Sequence, residues 1–279
     1  FQGKAGERVQ LCGDNRRIVD GIVVTNQRHL TFDNLYFQGF CLTGMSITDA
    51  ADIRLSRCLW DARRHGFTQA LQAHNTPRLT LDNCVRLGGH EGIVISNCPD
   101  FTMQNSVMFH GGVTSLRIFN AGLKTTIRNN LFTDNLLMKG RNPVLFVHDV
   151  DGLQEDNNCF FLRLPPDQKR VIGYNILNGK QMPAMTTSTF LGAQQMLYAD
   201  YLQATGRKTG SIFANPQVKF MSDFRAKYQT LDEWAAKWQQ DRGNEMPMES
   251  EVVFDDFMAQ NPELQQRSIG LQPGRFALP

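Results

Sequence analysis

The chain has 279 residues, in which 29 Lys and Arg stand against 27 Asp and Glu for a formal net charge of +2. That balance, with no basic stripe interleaved with aromatics, excludes a nucleic-acid partner. No run of about 20 apolar residues is present, so no helical membrane span is expected.

In chain order, the first organised element is a repeat. LTFDNLYF begins at Leu30, IRLSRCLW at Ile53, LTLDNCVR at Leu79, FTMQNSVM at Phe101, TTIRNNLF at Thr125 and LQEDNNCF at Leu153. The fifth residue of each is Asn34, Arg57, Asn83, Asn105, Asn129 or Asn157, at intervals of roughly 25 residues. Ten residues earlier stand Val24, Ile47, Ala73, Ile95, Phe119 and Val147, all apolar. The stretch DNLYFQG at 33–39 looks like a protease tag site, but it keeps the repeat and reads as native.

Each repeat reads as two or three short alternating strands between polar corners. The positions four and two before the Asn, and two after it, are expected to point inward. Thr31, Thr80, Thr102, Asp33, Asp82 and Arg128 are expected to point outward. A coil of about 25 residues cannot bury its own apolar side, but stacked coils share one core. The expected fold is all-β, a solenoid of parallel strands roughly 4.8 Å apart. An Asn at each corner tolerates left-handed backbone, and stacked amides can bond from coil to coil. The chain opens without an initiator Met, and further coil-like sequence is expected before Ile22. An uncapped terminal coil would leave a sheet edge for a homo- or hetero-oligomer.

The six cysteines, Cys12, Cys41, Cys58, Cys84, Cys98 and Cys159, show no CxxC or zinc spacing. Cys58 and Cys84 share a column one coil apart, so their Cα atoms are expected about 5 Å apart, within disulfide range. Two reduced thiols are the favoured state.

After Phe161 the pattern fades. LRLPPDQK reads as a loop broken by Pro165-Pro166, and residues 194–204 read as a short helix. TLDE at 230–233 is a capping box opening a helix to about Gln240, with Trp234 and Trp238 on one face. The tryptophans are expected to pack the tail against the coils. Residues 1–164 are thus assigned to coils, with clear repeats over 22–161, and 165–279 to a C-terminal extension packed along the solenoid.

The repeats resemble the right-handed parallel β-helix family of pectate-lyase-like proteins, whose coils carry I-x-x-N-x-Φ corners like TIRNNLF. YLQATGRKTGSIFANPQVKF (201–220) and FDDFMAQNPELQQRSIGLQPGRF (254–276) are similar to closing segments of large β-helix carbohydrate-active enzymes. Those read tGxDxxS, then aDPxF, then DFxLxpxSPAixxG. Here Asn215 replaces the usual Asp, Lys208 stands where an acid is common, and Arg267 stands near the usual Pro. These departures count against an ion-binding tail. What the resemblance implies is a right-handed parallel β-helix with a C-terminal extension containing short helices, acting on a polysaccharide.

Chemistry-bearing residues gather in the loops that follow each Asn corner. Asp61, Arg63, Arg64 and His65 lie in the second repeat, His90 and Glu91 in the third, His110 in the fourth, and Asp134 with Asn135 in the fifth. His65 and Glu91 share one offset from the corner and are expected roughly 5 Å apart, a usable base and its orienting acid. A lyase would use His65 or His90 as base, with Arg63 or Arg64 neutralising a uronate carboxylate. A glycoside hydrolase needs two carboxyls about 5–5.5 Å or 6.5–9.5 Å apart, and Asp61 with Glu91 is the pair that suits. His110 and Trp60 are candidate substrate contacts. The Arg pair is equally read as a solvated loop tip, and the histidines as turn residues.

Phe37, Trp60, Met108, Phe132 and Phe160, interrupted by Arg86, are expected to form an outward stripe. Its occupant is a sugar chain, another chain or, preferred, the C-terminal tail. Asp149 and Asp151 in HDVDG resemble half a calcium loop, but the ligand set is incomplete and a structural turn is preferred. No cofactor is expected otherwise. The leading expectation is a carbohydrate-active enzyme on an extracellular polysaccharide, located outside the cell or in the periplasm, hydrolase ahead of lyase. The alternative is a non-catalytic glycan-binding or structural β-helix subunit of a larger assembly.

Overall fold

A computed structural model describes residues 9–13, 18–62, 69–88, 91–109, 114–119, 124–133, 144–147, 152–161, 175–178, 194–218 and 254–272. After β1 (Val9–Cys12) the strands come in threes. They are β2 (Asp20–Thr25), β3 (Thr31–Asp33) and β4 (Leu35–Gln38), then β5 (Thr43–Thr48), β6 (Arg54–Ser56) and β7 (Leu59–Ala62). Next come β8 (Gln69–His74), β9 (Thr80–Asp82) and β10 (Val85–Gly88), then β11 (Glu91–Ser96), β12 (Thr102–Gln104) and β13 (Val107–Phe109). The pattern continues through β14 (Thr114–Phe119), β15 (Thr125–Arg128), β16 (Leu131–Thr133), β17 (Leu145–Val147), β18 (Leu153–Asp156) and β19 (Cys159–Phe161). Beyond it lie β20 (Asn175–Asn178), β21 (Gln194–Leu197), helix α1 (Tyr198–Thr205), β22 (Ile212–Phe213), a 3-10 turn at Phe254–Phe257 and helix α2 (Pro262–Gln266). The short helix expected at 194–204 is therefore a strand followed by a helix. The helix expected at 230–240, with Trp234 and Trp238, lies outside the described residues.

Three sheets result. Sheet I has the order β2-β5-β8-β11-β14-β17-β20-β21, sheet II β3-β6-β9-β12-β15-β18, and sheet III β1-β4-β7-β10-β13-β16-β19-β22. Pairing is parallel throughout except β20 with β21. From β2 to β19 each coil runs from sheet I through II to III, and the DNLYFQG stretch is the β3–β4 corner.

The corner between sheets II and III explains the Asn column. Asn34, Arg57, Asn83, Asn105, Asn129 and Asn157 all have φ between 51° and 60°, left-handed values that Asn tolerates better than other residues with a Cβ. Their side chains stack: Asn105 Nδ2 donates to Asp82 Oδ1 at 2.9 Å, Asn129 to Asn105 at 3.3 Å and Asn157 to Asn129 at 2.8 Å. Arg57 stands in for Asn, held by Asp33, which accepts its Nε at 2.6 Å. A second ladder, Asp49, Asn75 and Asn97, forms where sheet I turns into sheet II.

The interior confirms two of the three expected inward columns. Ile53, Leu79, Phe101 and Leu153, and Phe32, Leu55, Leu81, Met103 and Ile127, are core residues. The column two after the Asn is a correction. Tyr36, Leu59, Val85, Val107, Leu131 and Cys159 are buried, but in a second cluster with Val218, Phe257, Leu264, Ile269 and Leu271 of the tail. They form the outer face of sheet III. The stripe expected outside is in fact inside: Phe37, Trp60, Met108, Phe132 and Phe160 belong to the solenoid core, with Phe37 stacked on Trp60 and Phe132 on Phe160. The described tail residues pack on the opposite face of the same strands.

Arg86 sits in that inner row, paired in register with Trp60 and Met108 and fully buried, and burial pushes its guanidinium down to about 9. Glu155 also takes an interior position that is apolar in earlier coils. Its carboxylate accepts Asn158 Nδ2 at 2.7 Å and the Ser211 hydroxyl.

All six cysteines are free, with Cys12 and Cys41 exposed and the rest buried. Burial pushes the thiols of Cys98 and Cys159 up to about 11 and about 12, and that of Cys84 well above its ordinary value. Since the thiolate is the reactive form, a thiol reagent near pH 8 should label Cys12 and Cys41 rapidly in the native protein. The other four should react only in denaturant. Fast labelling of a third thiol would contradict this core.

Candidate functional site

Sheets III and I meet at a corner whose connections are the loops that carry the candidate residues. β7 ends at Ala62 and β8 starts at Gln69; β10 ends at Gly88 and β11 starts at Glu91; β13 ends at Phe109 and β14 starts at Thr114. Arg63, Arg64, His65, His90 and His110 belong to the segments between these strands and lie outside the described residues, as do Asp134, Asn135, Asp149 and Asp151. Among the described residues, no three His, Cys, Asp or Glu side chains group in a way that could hold a metal ion.

At the first two coils of this corner lies a cleft lined by Phe37, Gln38, Gly44, Trp60, Asp61 and Gln69, among others. Its cavity volume is about 10 Å³, close to the room one water needs. Asp61 is 2% exposed and accepts the Tyr36 hydroxyl at 2.7 Å and Gln38 Nε2 at 3.5 Å. Trp60, 1% exposed, is a correction to the expected exposed sugar contact. Its ring stacks on Phe37 at 5.6 Å and 11° inside the coil, and only its edge meets the cleft.

Strand register sets the neighbours of Glu91. Ile93 pairs with Leu71, so two residues earlier Glu91 falls level with Gln69, which itself pairs with Thr43. The two loops differ in length, and equal offsets from the Asn lose meaning across them. Glu91 pairs on its other side with Thr114.

Tyr36, Gln38, Gly44 and Gln69 were not singled out by the sequence. A signal existed for Gln38, which occupies the same column as Asp61 and pairs with it in register. Gly44 has a steric reason. A Cβ there would lie 2.5 Å from Trp60 Cδ1, 2.8 Å from the Ala70 carbonyl oxygen and 3.0 Å from Trp60 Nε1.

Comparison with known families gives a match to the right handed beta helix region over residues 15–160, more than half of the chain. The chain belongs to the right-handed β-helix family. No curated protein and no solved structure matches it. A β-helix is a scaffold shared by many activities, and it is compatible with action on carbohydrates.

The outer face of sheet III is covered by described residues of the tail. Gln272 N donates to Asn83 Oδ1 at 3.0 Å, Gly270 N to the Asn129 carbonyl at 2.8 Å, and Asn157 Nδ2 to the Arg267 carbonyl at 3.0 Å. Arg267 and Asn215, where the tail departs from its lookalikes, have structural duties. Arg267 Nε donates to Asn157 Oδ1 at 3.1 Å, and Asn215 Oδ1 accepts the Gln217 backbone N–H at 2.9 Å.

Proposed function

We propose that this β-helix is a carbohydrate-active enzyme that cleaves a polysaccharide outside the cell or in the periplasm, with its reaction centre at the corner of sheets III and I. The observation that carries the reading is the buried Asp61 carboxyl, oriented by Tyr36 on the corner where the histidine-bearing segments attach. A carboxyl held in one orientation is what glycosidic cleavage needs. Glu91, at the start of β11, is the proposed second carboxyl. In the lyase version, His65 or His90 takes the proton and Arg63 or Arg64 holds the uronate, with His110 a further contact. Hydrolysis is preferred because Asp61 offers a carboxyl fixed by Tyr36 and Gln38 at this corner. No cofactor enters this mechanism.

The test follows reducing ends and the ultraviolet absorbance of unsaturated uronates over a panel of polysaccharides. The expected result is reducing ends without absorbance, reduced about 100-fold or more in Asp61→Asn with the fold intact. Absorbance that survives Asp61→Asn but not His65→Ala or His90→Ala would make it a lyase.

A second reading, a non-catalytic glycan-binding or structural subunit, is supported by exposed apolar side chains at the first coil. β1, β2 and β3 are terminal strands of their sheets, and Ile18, Val19 and Val23 are 46%, 53% and 63% exposed. Silence on every substrate, with a concentration-dependent oligomer, would favour it.

A further inference from the structure

Cys58 and Cys84 each follow a left-handed corner residue, Arg57 and Asn83, in consecutive coils. The residues after them, Leu59 and Val85, pair in register, and Val85 N donates to the Cys58 carbonyl at 2.9 Å. Neighbouring strands lie about 4.8 Å apart, inside the Cα separation that a disulfide spans. Both side chains are 0% exposed in the solenoid core.

The rest of their column shows where the sulfurs point. Ser106 Oγ accepts Cys84 N at 3.0 Å, Asn130 Oδ1 accepts Ser106 N at 3.0 Å, Asn158 Oδ1 accepts Asn130 N at 2.8 Å, and Ser211 Oγ accepts Asn158 N at 2.9 Å. Each side chain reaches back one coil to the residue of its own column. Cys84 does the same, with its thiol hydrogen-bonded to both the backbone and the side chain of Cys58. A thiol is a weaker acceptor than a hydroxyl or an amide, so the ladder gains nothing from sulfur at two successive rungs. Elsewhere no such neighbour is found: Cys12 pairs with Gln38, Cys159 with Leu131 and Ile212, and Cys98 takes the Thr76 N–H.

We propose that Cys58 and Cys84, free thiols in the state described above, are an oxidation site that closes into a disulfide joining their two coils. The oxidant is a small disulfide such as oxidised glutathione. One cysteine thiolate attacks it, forms a mixed disulfide and releases one glutathione thiolate. The other cysteine thiolate then displaces the second glutathione and forms the Cys58 Sγ–Cys84 Sγ bond. The two thiols lose two electrons and two protons, and one oxidised glutathione becomes two reduced ones. Because both thiols are buried in the finished coil, the bond forms while the chain folds and is then shielded from reductant.

The experiment uses the full chain carrying Cys12→Ser and Cys41→Ser, both exposed positions. It is unfolded and refolded with oxidised glutathione or with dithiothreitol, then alkylated in denaturant, weighed and mapped without reduction. The same map on chain exported to a bacterial periplasm needs no refolding. The oxidised chain should carry one link, between Cys58 and Cys84, with alkylated Cys98 and Cys159. It should melt roughly 5 °C or more above the reduced chain, since the link closes a loop of the unfolded state. Cys84→Ser, which repeats the Ser106 rung, should fold, form no link and melt alike in both buffers. Four alkylated thiols after oxidation, or a link through Cys98 or Cys159, overturn the proposal. A linked chain that melts below the reduced one does so too, because the coils would not accommodate the bond.

Discussion

Phe132→Ala is expected to cost the β-helix about 3–5 kcal/mol. The ring is fully buried and lies flat against Phe160 at 5.2 Å and 12°. Its strand, β16, pairs with β13 on one side and β19 on the other, so Met108 and Phe160 flank it in register. Removing the ring leaves a cavity that rigid ladders on both sides cannot close. The coil couples to its neighbours through nearest-neighbour contacts alone, so loss there divides the solenoid into two poorer halves. Phe132→Leu, which keeps most of the volume, should cost under about 1.5 kcal/mol. Urea unfolding of the two variants measures the difference. A change below about 1 kcal/mol for Phe132→Ala would mean that the aromatic row faces solvent after all.

Loss of the tail should be the more damaging change. Deleting residues 254–279 removes Phe257, Leu264, Ile269 and Leu271, each of which is buried against sheet III, at roughly 1.5–3 kcal/mol apiece. It also uncovers Tyr36, Leu59, Val85, Leu87, Val107, Phe109 and Leu131 as one contiguous apolar strip. A strip of that kind drives association. The truncated chain is therefore expected to bind a hydrophobic dye, to elute as larger species and to melt well below the full chain. Phe257→Ala provides a milder version, since this ring meets Phe109 edge-on at 5.4 Å. If the truncated chain melts with the full chain and binds no dye, the tail is an accessory that the solenoid does not need.

The tail accounts for a misleading feature of the repeats. Strands such as LYFQ, VMF and LFT are apolar at consecutive positions, as sheets buried on both faces are. Alternation counted straight through the Asn put position two inward. The left-handed residue at the corner consumes a step, so alternation restarts with the next residue inward and every later side chain changes face. Phe37 and Trp60 thereby moved from an imagined sugar platform into the core. The outward Tyr36 became the partner of Asp61.

The candidate site was less legible than the fold. Asp61 could be picked as a carboxyl on the right corner, because its column follows the Asn without an insertion. Past that column the coils take connections of unequal length, so equal offsets from the Asn no longer mark neighbours. Tyr36 and Gln38 come from β4, Gln69 from β8 and Asp61 from β7. Their convergence depends on strand register, which no local pattern records.

By itself, the sequence determined the coil period, the left-handed corner, the stacked amide ladder and the parallel solenoid, because each is a short-range property repeated until it becomes unmistakable. Only the tertiary structure decided which face of sheet III is interior, where the tail lies and which polar groups share the cleft. Those outcomes depend on the phase of alternation across a turn and on contacts between residues as distant as Asn83 and Gln272. Sequence spacing carries no measure of either.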